Sequence, residues 1–146
     1  MFDAFEGHPE ARLPVVCGLN VTEQVALRRD QVEELQARFG DGDVTRFIGD
    51  VLRPYFGFYE KHGFGAQAPM HDPLAATIAM DAAIALVARP TVVDVELQGR
   101  LTRGMTVADW SGEWSRSPNA VVVTSVDQDA VIARLLESFA RLSATP

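Results

Sequence analysis

Residues 119–142 read Asn-Ala-Val-Val-Val-Thr-Ser-Val-Asp-Gln-Asp-Ala-Val-Ile-Ala-Arg-Leu-Leu-Glu-Ser-Phe-Ala-Arg-Leu. The first eight carry a continuous apolar, β-branched run, the pattern of a buried strand. Asp127 then offers a helix cap. Val131, Leu135, Phe139 and Leu142 fall on one helical face, with Ile132 and Leu136 beside it. A strand running straight into an amphipathic helix points to the α/β class.

The segments upstream fit that class. Residues 91–97 (TVVDVEL) alternate and are β-branched, so they predict a strand. Residues 104–110 predict a second one, joined to the first by a Gly-Arg turn, which gives a mixed sheet with an antiparallel hairpin near 91–110. Residues 73–88 (PLAATIAMDAAIALVA) are apolar nearly all round, the mark of a buried helix with Pro73 in its first turn. Residues 12–19 (RLPVVCGL) predict a buried strand, and residues 2–6 a helical stub closed by Gly7. A helix over residues 23–38, capped by Asn20 or Thr22, would place Val25, Val32, Leu35 and Phe39 on one face. Gly40-Asp41-Gly42 breaks it. A further helix starts at Asp43 or Thr45, runs through Leu52 and is interrupted at Pro54. The predicted order is α-β-α-α-α-β-β-β-α.

Composition bounds the function. The chain has 146 residues, 47 % hydrophobic and 23 % charged, which suits one soluble globular domain over 1–146. A net charge of −7 argues against a nucleic-acid partner. The single cysteine, Cys17, excludes an internal disulfide framework and a multi-cysteine zinc site. No apolar run is long enough for a membrane span, and residues 1–10 lack a basic-then-apolar leader. The expected setting is cytoplasmic, with no membrane partner.

Two stretches can carry chemistry. His71 and Asp72 stand side by side just before the predicted buried helix. The carboxylate is a hard oxygen ligand for a cation such as Ca²⁺, and the imidazole can donate a proton near neutral pH. The plainer alternative makes Asp72 an N-cap with Pro73 at the first helical position. The second stretch is residues 55–65 (YFGFYEKHGFG), where Tyr55 and Tyr59 lie four apart. Their rings suit a base or sugar, and Gly57, Gly63 and Gly65 would let the segment move as a lid; core packing of the phenylalanines is the alternative. Asp94 and Glu96 on one strand face read mainly as a solvated face. Cys17 reads as a buried, inert thiol. Trp110 and Trp114 could cover a pocket or simply pack. No phosphate loop, dinucleotide fingerprint or nucleophile elbow is present.

Taken together, the motifs resemble the C-terminal part of the nucleoside hydrolases that prefer inosine and uridine. Gly18-Leu19-Asn20-Val21-Thr22 is similar to that family's G-L-D-V-T segment. Tyr55 and Tyr59 precede His71-Asp72-Pro73-Leu74-Ala75 at the family's distance. Val93-Asp94-Val95-Glu96, Gly99 and Leu101-Thr102-Arg103-Gly104-Met105-Thr106 resemble its hairpin. The resemblance covers essentially the whole chain. It implies a glycosidase of nucleoside (purine) salvage that hydrolyses the N-glycosidic bond of ribonucleosides to ribose and free base with a bound Ca²⁺. It further implies Asp72 as a metal ligand, His71 as the residue that protonates or hydrogen-bonds the departing base, and Tyr55 and Tyr59 as the rings closing over it.

The departures from the family are as informative. The acidic D-x-D-x-G-x-D-D cluster that supplies the general base and most Ca²⁺ ligands is absent; Asp41-Gly42-Asp43 is a helix-to-helix turn, and Asn20 stands where the family has Asp. The chain is therefore expected to be a C-terminal half that is inactive alone. Its expected partners are a nucleoside or free base, together with a complementing N-terminal half or a second copy of itself. The alternative is a non-catalytic nucleoside-binding or protein-interaction module.

Overall fold

In the computed structural model of the protein, residues 2–144 are described, Ala11 by its backbone alone. The elements are β1 (Val15–Val16), α1 (Leu19–Thr22), β2 (Ala26–Arg28), α2 (Arg29–Phe39), α3 (Asp43–Lys61), β3 (Gln67–Pro69), α4 (His71–Met80), β4 (Ala85–Val95), β5 (Thr106–Asp109), β6 (Ala120–Val126) and α5 (Gln128–Ser143). Short 3₁₀ turns occupy Phe2–Phe5, Glu10–Arg12 and Ala82–Ile84. The mixed α/β class follows directly. No helix among the described residues is long and apolar enough to cross a membrane.

The chain folds as two compact units. One joins the segment up to Gly18 with Ala85–Val126. Its sheet has the order β1-β6-β4-β5, with β1 parallel to β6 and the other pairs antiparallel. Val93, Ala120 and Val122 form its core, and Phe2, Val16 and Ala108 pack against them. Asn119 is fully buried; its side chain accepts the Val93 N–H at 2.7 Å and donates to the Val93 carbonyl at 2.9 Å. Arg116 ties this unit's loops together by pairing with Asp3, Glu6 and Asp94.

The second unit joins Leu19–Ile84 to the chain from Asp127 on. Its core draws on Leu27, Val32, Leu35, Ile48, Leu52, Phe56, Leu74 and Val131. The small β2–β3 sheet is antiparallel, pairing Ala26 with Pro69 and Arg28 with Gln67. Asp127 caps α5 by accepting the Ala130 N–H at 3.0 Å, as its sequence position predicts.

Four expectations need correction. The helix expected over 23–38 begins only at Arg29. Residues 26–28 are drawn instead into β2, and Val25 is held by its carbonyl, which accepts the Met70 N–H at 2.7 Å. Tertiary pairing thus overrides a helical apolar spacing. Pro54 does not end its helix: α3 runs from Asp43 to Lys61 with the proline inside. An interior proline costs about 3 kcal/mol, and the buried face of Ile48, Leu52 and Phe56 offsets it. The buried helix expected over 73–88 stops at Met80, where the Asp81 carboxylate accepts the Ala83 N–H at 3.1 Å and the Arg134 guanidinium at 2.8 Å. From Ala85 the same apolar run is strand, paired with β6. The strand expected over 12–19 shrinks to Val15–Val16.

Candidate active site

The local fold brings the end of the Gly18–Thr22 segment against His71. Because the Val25 carbonyl accepts the Met70 N–H, the β2–β3 pairing extends by one rung. Three residues before Val25 stands Thr22, the last residue of α1; one residue after Met70 stands His71, the first of α4. Their side chains meet: His71 Nδ1 lies 2.8 Å from Thr22 Oγ. Thr22 is 3 % exposed and His71 half-buried.

Asp72 follows in the first turn of α4. The cap position is Met70, and no side chain caps this helix. Asp72 is therefore not an N-cap. It carries no hydrogen bond or ion pair among the described residues. Its carboxylate is exposed at a helix N-terminus, where the backbone dipole favours negative charge.

His71, Asp72 and Tyr55 line one cavity of about 380 Å³. That size falls within the usual range for a small-molecule site. Its apolar wall includes Phe47 and Val51 from α3 and Phe139 from α5. Tyr55 is 53 % exposed there. Tyr59 does not line this cavity; its ring packs edge-on against Phe58 at 5.4 Å and Phe64 at 6.0 Å. The aromatic stretch is thus mostly helix rather than loop, and its two tyrosines face different surroundings. Gly63 and Gly65, at φ of +82° and +81°, shape the turn that leads from α3 into β3.

The remaining candidates are used structurally. Asp94 accepts the Val95 N–H and pairs with Arg116, which holds its carboxyl below the ordinary range. Glu96 accepts the Gln98 and Gly99 N–H groups at 2.7 and 2.9 Å, closes the hairpin turn and is held low in the same way. Burial pushes the Cys17 thiol up, away from nucleophilic use. Trp110 and Trp114 flank a loop organised by Asp109. Its carboxylate accepts the Trp114, Gly112 and Glu113 N–H groups. Sequence reading missed Asp109 and gave Thr22 the wrong task. The position of Thr22 at the end of the Gly18–Thr22 segment was the available signal.

A calcium site is not complete in these residues. Ca²⁺ takes roughly six to eight oxygens, and among the described residues no group of three or more His, Cys, Asp or Glu side chains could hold a metal. Asp72 offers one carboxylate.

The chain resembles known proteins in sequence and in fold. The pyrimidine-specific ribonucleoside hydrolase RihA of Salmonella newport (strain SL254) is 33 % identical over 132 residues, covering 84 % of this chain and 39 % of that protein. RihA of Citrobacter koseri is 30 % identical over 141 residues, covering 90 % and 42 %. The chain thus spans about two fifths of the length of the curated relatives it matches. Among solved structures, a purine-preferring ribonucleoside hydrolase from Gardnerella vaginalis superposes with a TM-score of 0.77 at 23 % identity, over 89 % of this chain and 40 % of that one. A plant nucleoside hydrolase, PpNRh1, gives 0.75 at 23 % identity, over 90 % and 41 %. These two likenesses show a shared fold. A family model described as inosine-uridine preferring nucleoside hydrolase matches residues 2–133, and the chain belongs to that family.

Proposed function

We propose that this chain forms the base-side portion of a ribonucleoside hydrolase site. The reaction is hydrolysis of the N-glycosidic bond to ribose and free base. The observation that carries this reading is the single cavity lined by Tyr55, His71 and Asp72. Water oxygen bonds to the anomeric carbon, the carbon–nitrogen bond breaks, and the base leaves with the bond's electron pair. His71 offers a proton or hydrogen bond to that base, while the Tyr55 ring lies against its face. Tyr59, one turn further along α3, has a lesser part. Asp72 would supply one oxygen ligand to a Ca²⁺ ion whose other ligands lie outside these residues. The acidic groups that would complete the site and activate water come from a complementing segment, so the 146-residue chain alone does not turn over.

Titration calorimetry with inosine and uridine tests the binding. Millimolar affinity that His71→Ala and Tyr55→Ala both weaken is expected, and no heat at millimolar ligand would refute the site. Ribose release should be absent with the chain alone and appear when an acidic N-terminal segment is co-expressed. Release by the chain alone would refute the incompleteness.

A specific observation favours a second role, self-association or docking of the complementing segment. Phe47, Val51, Tyr55 and Phe58 make an exposed apolar stripe along α3, at helical spacing, 47–67 % exposed. Sedimentation over a concentration series, with and without an acidic N-terminal segment, tests it; a monomer throughout that forms no complex with the segment removes it.

A further inference from the structure

We infer that Thr22 is a positioning residue that fixes the tautomer of His71, leaving the ring proton on Nε2. The inference rests on the reading of His71 as the base-facing group, although the tautomer itself can be measured without any ligand.

The argument is a count of protons. Thr22 Oγ and His71 Nδ1 lie 2.8 Å apart, and Thr22 is 3 % exposed. The hydroxyl has no other partner among the described residues. A hydroxyl owns one proton and two acceptor sites, and a neutral imidazole owns one N–H and one bare nitrogen. Two arrangements make this contact. In the first, the Thr22 O–H donates to bare Nδ1, so the ring proton sits on Nε2. In the second, Nδ1–H donates to Thr22 Oγ, and the hydroxyl proton is left in the interior with no acceptor. A buried donor without a partner is the costlier defect, because an unused lone pair on an already bonded oxygen loses little. The first arrangement is therefore the ground state.

The consequence is chemical. The Thr22 contact occupies Nδ1, so Nε2 is the nitrogen left for a ligand, and it presents N–H. The site then suits a heterocycle offering an acceptor, a ring nitrogen or a carbonyl oxygen, where its bond to the sugar breaks. His71 can serve the leaving group as a hydrogen-bond donor through Nε2. The β2–β3 rung at Val25 and Met70 sets the spacing, so the tautomer is built into the fold rather than induced by ligand.

Long-range ¹H–¹⁵N correlation spectra of the full chain, recorded where the ring is neutral, read the tautomer directly. The wild type should show His71 with Nε2 protonated and Nδ1 bare. Thr22→Val keeps the shape and removes the hydroxyl; the Nδ1–H population should rise about two- to tenfold, the worth of one hydrogen bond. Thr22→Ser should restore the wild-type pattern. A wild-type ring protonated on Nδ1 overturns the inference, and this needs no variant to fold. So does a Thr22→Val ring indistinguishable from wild type. A tautomer shift in Thr22→Val with unchanged inosine affinity supports the Thr22 assignment and refutes instead the reading of His71 as the base-facing group.

Discussion

Asn119 offers the sharpest quantitative test of how this chain holds its sheet together. The backbone pairing of β4 with β6 ends at Thr91 and Ala120. Asn119 sits one residue before β6, and its own N–H still reaches the Thr91 carbonyl at 3.1 Å. Its side chain then takes over from the backbone, bonding both the N–H and the carbonyl of Val93. Asn119 is 0 % exposed and Val93 1 %. Asn119→Ala strands both Val93 groups in a dry interior. Each unpaired group costs about 1–3 kcal/mol, so a loss of about 2–5 kcal/mol is expected once partial relaxation is allowed. Urea unfolding followed by tryptophan fluorescence is suitable, since Trp110 and Trp114 lie in the same unit. With a slope of about 1–3 kcal/mol per molar urea, the midpoint should fall by about 0.7 molar or more. Asn119→Asp tests the two bonds separately. A carboxylate still accepts from the Val93 N–H but repels its carbonyl, so this variant should be no better than alanine. A shift under about 0.5 kcal/mol for Asn119→Ala, the ordinary scatter of a surface change, would refute the reasoning. So would an aspartate variant that is clearly the more stable of the two.

Other consequences are simpler to state. Tyr55→Ala should weaken nucleoside binding several-fold more than Tyr59→Ala in the same calorimeter, because only Tyr55 lines the cavity; equal losses would contradict the assignment. Leu74→Ala, at a fully buried position of α4, should lower stability by about 2–5 kcal/mol in chemical denaturation. The Asp109 carboxyl is held below its ordinary value, first by the Trp114 N–H and then by those of Glu113 and Gly112. Its stabilising effect is therefore present above the ordinary carboxyl range and is lost as pH falls through its lowered folded value. Asp109→Asn should be less stable at neutral pH and show a shallower acid-side decline in a series of melts. Cys17 should react with a thiol reagent at pH 7 more slowly than free cysteine, since burial raises its pKa.

Much of the fold was legible because long elements announce themselves. Residues 120–126 are β-branched in an unbroken run, and the helix after Asp127 repeats its apolar face through to Phe139, so both were read within a residue or two. What failed was local pattern against tertiary pairing. Residues 85–88 (Ala-Leu-Val-Ala) have helix-forming content and followed ten helical residues, yet β6 supplies them with strand partners across the sheet. Pro54 misled for the opposite reason: a rule about one lost hydrogen bond was outweighed by three buried side chains on the far face of α3. The candidate site was legible as a pair of adjacent residues, His71 and Asp72. The contribution of Thr22 was not, because a contact across 49 positions in the chain depends on the short β2–β3 sheet, whose three-residue strands carry almost no periodic signal.

Asp72 differs from the other carboxylates whose positions matter to this fold. Asp127 is spent on capping α5, and Glu96 on the hairpin turn. Asp109 is spent on its loop, Asp81 on Arg134 and Asp94 on Arg116. Neutralising any of these removes a contact that the native state contains. Asp72 has no such contact and lines the cavity beside His71. Its only stabilising role is its charge in the first turn of α4, worth about 0.3–1 kcal/mol. Asp72→Asn should therefore lower the unfolding free energy by no more than that amount, while leaving the cavity's shape unchanged. If the carboxylate is held in reserve for a cation shared with a complementing segment, the same variant should abolish ribose release by the reassembled protein. Inosine affinity of the chain alone should change little. Those two readouts separate a functional carboxylate from a structural one. A large loss of stability would show that Asp72 is part of the fold, and full activity after reassembly would show that it ligates nothing.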